Sequence, residues 1–434
     1  MTVPTNEIGY AKGGLASWAV LGTDVEEQNP DMQWPKNLPI IERMRTEDAQ
    51  VASVIAAVTL PMMSTPWGLD GTGVREEVLQ VVAADLGLPI IGRDADRGAV
   101  RRRGRFSWHS HMELAFLEIV FGHAIFEQNY EIAEGLARLK KLAWRPHGTI
   151  AKFNVAADGG LESIEQHPAA GKKSKPIPVS QLVAYVHKRE GGNWAGRSML
   201  RAAYKNWVLK DRLIRSQALT VDRNGLGVPI YEAAPLPEGA TDAADIDSWA
   251  RNERTEGLKL AVSFRSGETA GAAIPHGAKL TLRGVEGDLP DADKPIRYHD
   301  EQIARAFLAH FLNLGTQTGS WALGATLGDF FSDSLNAECT HFQDVTQQHV
   351  IDDLVDLNWG ESEPAPRLVF EKIGSRSPVT AEAIKSLVDA GVLTTDDALE
   401  EYLRQVLGLP VFENHGIERT RRTDSSPSSK EIPA

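Results

Sequence analysis

Between Gly192 and Pro229 the chain reads as a glycine-rich turn, a long basic helix with one apolar face, a second glycine turn and a strand. No other stretch restricts the fold as much. Gly191, Gly192 and Gly196 give the backbone the freedom to close a turn. Ser198 is placed to cap a helix. From there Leu200, Tyr204, Trp207, Ile214, Ala218 and Val221 recur at helical steps, which puts them on one face. Arg197, Arg201 and Lys205 lie four apart and are expected to stack along one side of the first two turns. On residue type alone, three aligned cations are a solvated face. Asn224-Gly225 and Gly227 stop the helix, and Val228-Pro229-Ile230-Tyr231 suits an edge strand, where proline is tolerated.

With 434 residues the chain can bury a substantial core and divide into two or three compact units. Its net charge of −13 argues against a protein that wraps nucleic acid through a broad basic surface. That charge suits something DNA must pass without sticking, because Lys and Arg contacts to phosphate dominate affinity. Enzymes are often equally acidic, so this excludes a class without naming one. Cys339 is the one cysteine, which rules out an intrachain disulfide and fits folding in a reducing cytoplasm. No signal pattern follows Met1. The longest apolar stretch, Met112 to Phe126, is interrupted by Glu113, Glu118 and His123 and is too short to span a bilayer. A soluble, intracellular protein without a membrane partner is expected.

Residues 1–40, rich in Gly, Pro, Asn and Asp, read as an extended arm. A helix is expected from Ile40 to Val58, with Val51, Val54, Ile55 and Val58 on its buried face and Pro61 as its end. Thr65 to Leu69 fits a strand or turn, and Val74 to Leu86 a second helix closed by Gly87. Gly92 to Arg105 is a loop carrying Arg93, Arg97, Arg101, Arg102, Arg103 and Arg105, either solvated or in contact with DNA or an acidic neighbour. Met112 to Phe126 reads as an apolar helix, followed by strands at Phe126–Ile132, Leu139–Arg145, Ile150–Val155 and Leu182–His187. Gly171 to Pro178 is an exposed lysine-rich loop.

Beyond the central helix, a short acidic helix at Asp242–Glu256 precedes expected strands at Leu258–Ser263 and Lys279–Leu282. A helix from about Pro295 to Leu314 carries Ile303, Phe307, Leu308, Phe311 and Leu312 as its stripe. The small-residue loop Gly315 to Gly324 follows, and a helix resumes near Leu327 and runs through Val350 to Leu357. Two short helices, Val379–Val388 and Asp396–Leu407, have Thr394 set to cap the second, which Gly408-Leu409-Pro410 ends. From about Glu413 the composition predicts disorder.

This order resembles the portal proteins of Mu-like tailed bacteriophages. The resemblance rests on the Gly196-Arg197-Ser198-Met199-Leu200-Arg201 start, the aromatic pair and lysine that follow, the Gly227-Val228-Pro229 strand, and Leu314-Gly315-Thr316-Gln317. The family reads Leu-Gly-Gln-Thr at the last of these, so two positions are exchanged. It covers roughly residues 40–412 and is most specific at 192–230 and 296–330. It implies an α+β portal fold with an α/β wing, a two-helix stem, a small α/β clip and a helical crown. In this numbering it implies an arm at 1–40, wing at 41–196, stem helix at 197–222, clip at 223–294, second stem helix at 295–314 and channel loop at 315–328. A wing or helical return at 329–375, a crown at 376–412 and a tail at 413–434 complete it. The implied function is a ring, a dodecamer, at a capsid vertex of the virion, assembled in the host cytoplasm. Double-stranded DNA would be driven through it by a separate terminase, and the major capsid protein and head-completion proteins would be partners. Thr316, Gln317, Thr318, Gly319, Ser320 and Trp321 would belong to the channel loop. Arg197, Arg201 and Lys205 would gain a second role, facing DNA phosphates or a neighbouring subunit.

No residue pattern announces catalysis, and no cofactor or metal is expected. A phosphate-binding Walker loop fails at Gln166 and Lys173. His109, His111 and His123 lack a further ligand at metal spacing. Cys339 and His341, two apart, point in different directions on a helix, which favours a buried structural thiol over a nucleophile and its base. The alternative class is a metal-dependent nuclease using Asp352, Asp353 and Asp356 around magnesium, although acidic residues on the outside of a polar helix are commoner.

Overall fold

In a computed structural model of the chain, the residues described are 27–93, 106–168, 174–225, 228–236, 239, 242–264, 273–283, 291–307 and 321–374, without the side chains of 222–228, 264 and 321–327. Met1–Gly374 form one compact unit and Ser375–Ala434 a second. The expected crown helices and tail fall in the second unit, outside the described residues; in the first unit 94–105 of the arginine loop, Lys172 and Lys173 of the lysine-rich loop, and residues 308–320 also lie outside them.

The first unit opens with a single turn of 3-10 helix at Pro30–Met32, then α1 (Asn37–Glu47) and α2 (Ala49–Ser64). The arm expected up to residue 40 is therefore helical from Asn37. The single helix expected from Ile40 to Val58 is two helices, because Asp48 leaves the helical region and its carboxylate accepts from Gln50 N and Val51 N to cap α2. Pro61 does not end α2, which runs one more turn past it. β1 (Trp67–Asp70) and α3 (Glu76–Leu86) follow, the latter closed by Gly87 in the left-handed region.

The helix expected from Met112 to Phe126 breaks up. It is α4 (Trp108–Ala115), α5 (Leu117–Phe121) and, after Gly122 at φ 98°, the long strand β2 (His123–Ala133). An apolar run buried on all sides is read equally well as helix or as central strand, and here its second half pairs on both edges. β2 lies antiparallel to both β3 (Leu136–Arg145) and β7 (Leu182–Val186). A second antiparallel sheet orders β4 (Ile150–Val155), β5 (Leu161–Gln166) and β6 (Ile177–Pro178). Ile125, Ile150, Leu161, Ile164 and Leu182 fill the small core between the sheets.

α6 (Tyr204–Gly225) is followed by β8 (Val228–Glu232), α7 (Ala243–Phe264), β9 (Lys279–Arg283) and α8 (Asp293–Ala306). The strand expected at Leu258–Ser263 is instead the last part of α7, so this insert is strand–helix–strand, with β8 and β9 paired antiparallel. α9 (Trp321–Thr346) starts six residues before the expected Leu327, passes through a π-turn at Gln347–Asp352 and continues as α10 (Asp353–Trp359). Three of the described strands were not foreseen: β5; β6, which lies in the expected lysine-rich loop; and β10 (Arg367–Phe370). β10 pairs with β1, and Gln343 and Gln347 on the helix grip its backbone: Gln347 Oε1 accepts from Leu368 N at 2.8 Å and Gln343 Nε2 donates to Leu368 O.

The main core centres on Phe342, which packs against Trp67, Trp108, Phe116 and Tyr185. Among the described residues no helix is long and apolar enough to cross a membrane.

Candidate functional site

The segment 191–198 forms the root from which α6 leaves the sheets. His187 N donates to Gly122 O and Arg197 N to His187 O, each at 2.9 Å, so the glycine turn is laced to the start of β2 and the end of β7. Ser198 Oγ donates to Val120 O and also accepts from Leu200 N, capping a 3-10 turn at Met199–Arg201. The helix proper begins only at Tyr204, which corrects the expected start at Ser198.

That shift dissolves the predicted cation stack. Arg197 stands before the helix and pairs with Glu190 at 3.0 Å. Arg201, on the 3-10 turn, makes a two-pronged pair with Glu27 at 2.5 and 2.8 Å. Lys205 alone lies in the first turn of α6, exposed. Two of the three candidate phosphate contacts are thus already occupied by carboxylates.

Five residues further along α6, buried Lys210 enters a charged triad. Its Nζ lies 2.9 Å from each oxygen of Asp48, the α2 cap, and 2.5 Å from Asp300 Oδ1 on α8. Asn206 Oδ1 faces His299 Nδ1 at 3.0 Å one turn earlier. These polar contacts fix α6 beside α8 at the point where both meet α2. Below them Leu200, Ala203, Trp207, Ile303, Ala304 and Phe307 are buried together.

The apolar stripe of α6 then outruns the subunit. Leu200 and Trp207 are buried, but Ile214, Leu219 and Val221 are 44%, 56% and 64% exposed. Exposure continues through the insert at Ile230, Leu258, Val262 and Leu282. Tyr231 and Glu253 share a 2.8 Å hydrogen bond across it, and Gly257 lets α7 settle on the Tyr231 ring.

Behind the root lies a paired set of histidines and carboxylates. Glu118, on α5 and almost wholly buried, faces His341 Nε2 at 3.3 Å; Glu338, also on α9, faces His187 Nε2 at the same distance. His187 Nδ1 faces Arg197 O at 2.7 Å, so the ring donates on both sides only when doubly protonated. Burial raises the Glu118 carboxyl, and the Glu118 hydrogen bond raises His341. Burial, the largest single influence, pushes Glu338 up, but the bond from His187 together with the charges of His187, His341 and Lys188 outweighs it and the net direction is down. A group whose folded pKa is raised lends stability that is lost as pH rises through that value. Glu118 and His341 therefore favour the folded state at mildly acidic over alkaline pH, whereas Glu338 loses its contribution only at acid pH. Buried His111, His123 and His147, all lowered by burial, act in the opposite sense, so the pair shows in a comparison of variants: the thermal midpoint of the wild type minus that of His341→Gln is expected to be larger at about pH 6 than at about pH 9. An equal difference at the two pH values would remove this pair as a source of pH dependence.

The other sequence candidates disperse. His111 is buried, its Nε2 facing Tyr185 Oη at 2.9 Å, and burial pushes it down to about 3, while His109 is exposed. His123 lies on a strand, not in the expected helix, and its Nδ1 faces Ala195 O. Cys339 is buried, its thiol pushed up to about 12 by burial, while His341 turns to Glu118. Asp352 accepts from Gln347 and Asp353 from Gln128, and burial raises both carboxyls. Among the described residues no group of three His, Cys, Asp or Glu could hold a metal ion, so nothing supports the nuclease alternative. Thr316, Gln317, Thr318, Gly319 and Ser320 lie outside the described residues. Trp321 is the first residue of α9 rather than a loop member. The Lys210 triad was missed by sequence reasoning, since its members stand 162 and 90 residues apart in a chain whose charges are mostly exposed.

Residues 38–409 match the family described as the portal protein of Mu bacteriophage. A chain from the virion of a native gene transfer agent particle is 12% identical with a TM-score of 0.52, over 87% of this chain and 94% of that one. A chain from the neck of an empty particle of the same kind, computed with C6 symmetry, is 12% identical with a TM-score of 0.50, over 85% and 93%. At that identity the likeness is one of fold.

Proposed function

The chain belongs to the family of Mu bacteriophage portal proteins, and from that membership we propose that it closes into a ring of identical subunits, twelve by resemblance, at one vertex of a capsid. Double-stranded DNA enters and leaves through the hole, driven inward by a separate terminase. The major capsid protein surrounds the ring and head-completion proteins dock beneath it, so the protein ends in the virion after assembling in the host cytoplasm. It acts as a structural conduit without catalysis of its own.

The observation that carries the ring is the interrupted burial of α6. Its root half packs into the subunit, while its far half and the insert present Ile214, Leu219, Val221, Leu258 and Val262 to solvent. Large apolar side chains left exposed in this number along one helix and its insert are what an interaction face presents. In a closed ring each such face meets a different face of the next subunit, a head-to-tail contact. On this reading α6 and α8 form the stem, β8–α7–β9 the clip, and the sheets with α1–α5 the wing. Thr316, Gln317, Thr318, Gly319 and Ser320 border the channel, with Trp321 at the head of α9. Lys205 is the cation free to meet DNA or a neighbour, because Arg197 and Arg201 are already paired.

Light scattering on the purified full-length chain should give a mass near twelve times the 47.4 kDa subunit, with rings in negative stain. Leu219→Glu should abolish the rings and leave the unfolding midpoint of the subunit unchanged. A mass of one subunit at every concentration and ionic strength, or rings that survive this charge, would sink the assignment of α6 to the interface.

A further inference from the structure

The glycine-rich root has a second face. With β4 and the Pro30–Met32 turn it walls a cleft of about 360 Å³. Lys152, Arg197 and Arg201 set three cations there against one carboxylate, Glu27, in a chain of net charge −13. Arg197 and Arg201 are held by Glu190 and Glu27, whereas Lys152, exposed on β4 opposite Glu165, makes no ion pair at contact distance among the described residues. The walls are aromatic and firmly held. Trp34 and Phe153 meet edge-on at 5.2 Å, and Trp194 donates to Gly159 O at 2.9 Å beneath the Arg189 guanidinium. Two wall residues keep a polar atom without a hydrogen bond, Trp34 at Nε1 and Asn37 at Oδ1, and Asn37 is only 9% exposed. Buried polar atoms are nearly always satisfied, and a donor and an acceptor both left over in one wall are what a peptide unit, which carries one of each, can complete.

We propose that this cleft binds a short acidic segment of a partner protein. A carboxylate of the segment meets Lys152, an apolar side chain lies against Trp34 and Phe153, and its backbone satisfies the Trp34 indole N–H and the Asn37 amide oxygen after a small opening of the wall. A peptide fits better than DNA. A duplex is too wide for a cleft of this volume, and with both arginines already neutralised there is no row of free cations to follow a phosphate backbone. The inference does not depend on ring formation.

The test uses the full-length protein and a fluorescein-labelled probe, acetyl-Gly-Asp-Glu-Trp-Glu-Asp-Gly-amide, against a twin with lysine at each acidic position. Saturable binding of the acidic probe alone is expected, weakened about tenfold or more by Lys152→Glu. Lys152 is exposed, so the variant should unfold at the wild-type midpoint; Lys152→Met, with an intermediate loss, replaces it if it does not. Carbodiimide coupling should join the probe to Lys152 by an amide. Equal binding of both probes, indifference to both Lys152 variants, stronger competition by duplex DNA, or coupling of Lys152 to the chain's own residues before Glu27 would each overturn the proposal.

Discussion

Gly196→Ala is expected to destabilise the subunit by about 3–5 kcal/mol, a large part of the roughly 5–15 kcal/mol that holds a domain together. Gly196 sits at φ 65°, where an L side chain is strained. The greater part of the cost is contact. A methyl at this position would overlap the Gly122 carbonyl oxygen, lie 2.8 Å from Gly122 C and 2.9 Å from His187 O. All three are backbone atoms fixed by the lacing at the root, so none can swing aside. The opposite side is equally tight, since a Cβ on Gly122 would come within 2.5 Å of Ala195 O. Gly135, at φ 80° in the β2–β3 turn, is the control because nothing lies within 4 Å of its missing Cβ. Gly135→Ala should cost only the conformational part, about 1–2 kcal/mol. Urea unfolding of both variants decides the matter: equal losses would show that the close approach of the two backbones contributes nothing. Because the root carries α6, Gly196→Ala should also lower ring yield at temperatures where the subunit is still folded.

Much of this region was readable from the chain. Gly87, Gly191 and Gly196 mark a helix end and turns because the backbone there takes a positive φ, and such needs are local. The α6 stripe was readable as a period but not as two halves, since periodicity shows which face is apolar and not what covers it. Family membership came from the resemblance at 192–230, which no composition would have supplied. The failures have a common cause in partners distant in sequence. Asp48 splits α1 from α2 because its carboxylate caps one helix while holding Lys210 across 162 residues. His123 begins a strand because β7, some sixty residues on, offers Val186 as its partner. Arg197 and Arg201 leave the predicted stack because Glu190 and Glu27 claim them. Leu258 to Ser263 was too short an apolar run for its period to tell helix from strand.

Lys210→Met is expected to cost a comparable amount, about 3–5 kcal/mol, for an electrostatic reason. Removing the ammonium leaves the Asp48 carboxylate, 7% exposed at its side chain, beside that of Asp300 with no cation between them. Two anions in a poorly solvated junction repel, and neither can rotate to water without giving up something. Asp48 would surrender the α2 cap, and Asp300 the approach of α8 to α6. The pair's own net worth is smaller than this loss, because burying three charges has already cost most of what their attraction returns. That asymmetry supplies the decisive comparison. Lys210→Met combined with Asp48→Asn and Asp300→Asn should recover most of the stability, since asparagine still caps α2 and no net charge is left buried. If the triple variant is as unstable as Lys210→Met alone, the loss comes from packing of the lysine stem and not from stranded carboxylates. Ring assembly separates the role of the triad from stability. The three residues join α6, α8 and α2, so even the recovered variant, lacking charges that fix the angle between these helices, should form rings less completely or with a broader spread of subunit number, visible as heterogeneous masses in native mass spectrometry. Uniform rings from the triple variant would mean that apolar packing of Leu200, Trp207, Ile303 and Phe307 alone sets the stem angle.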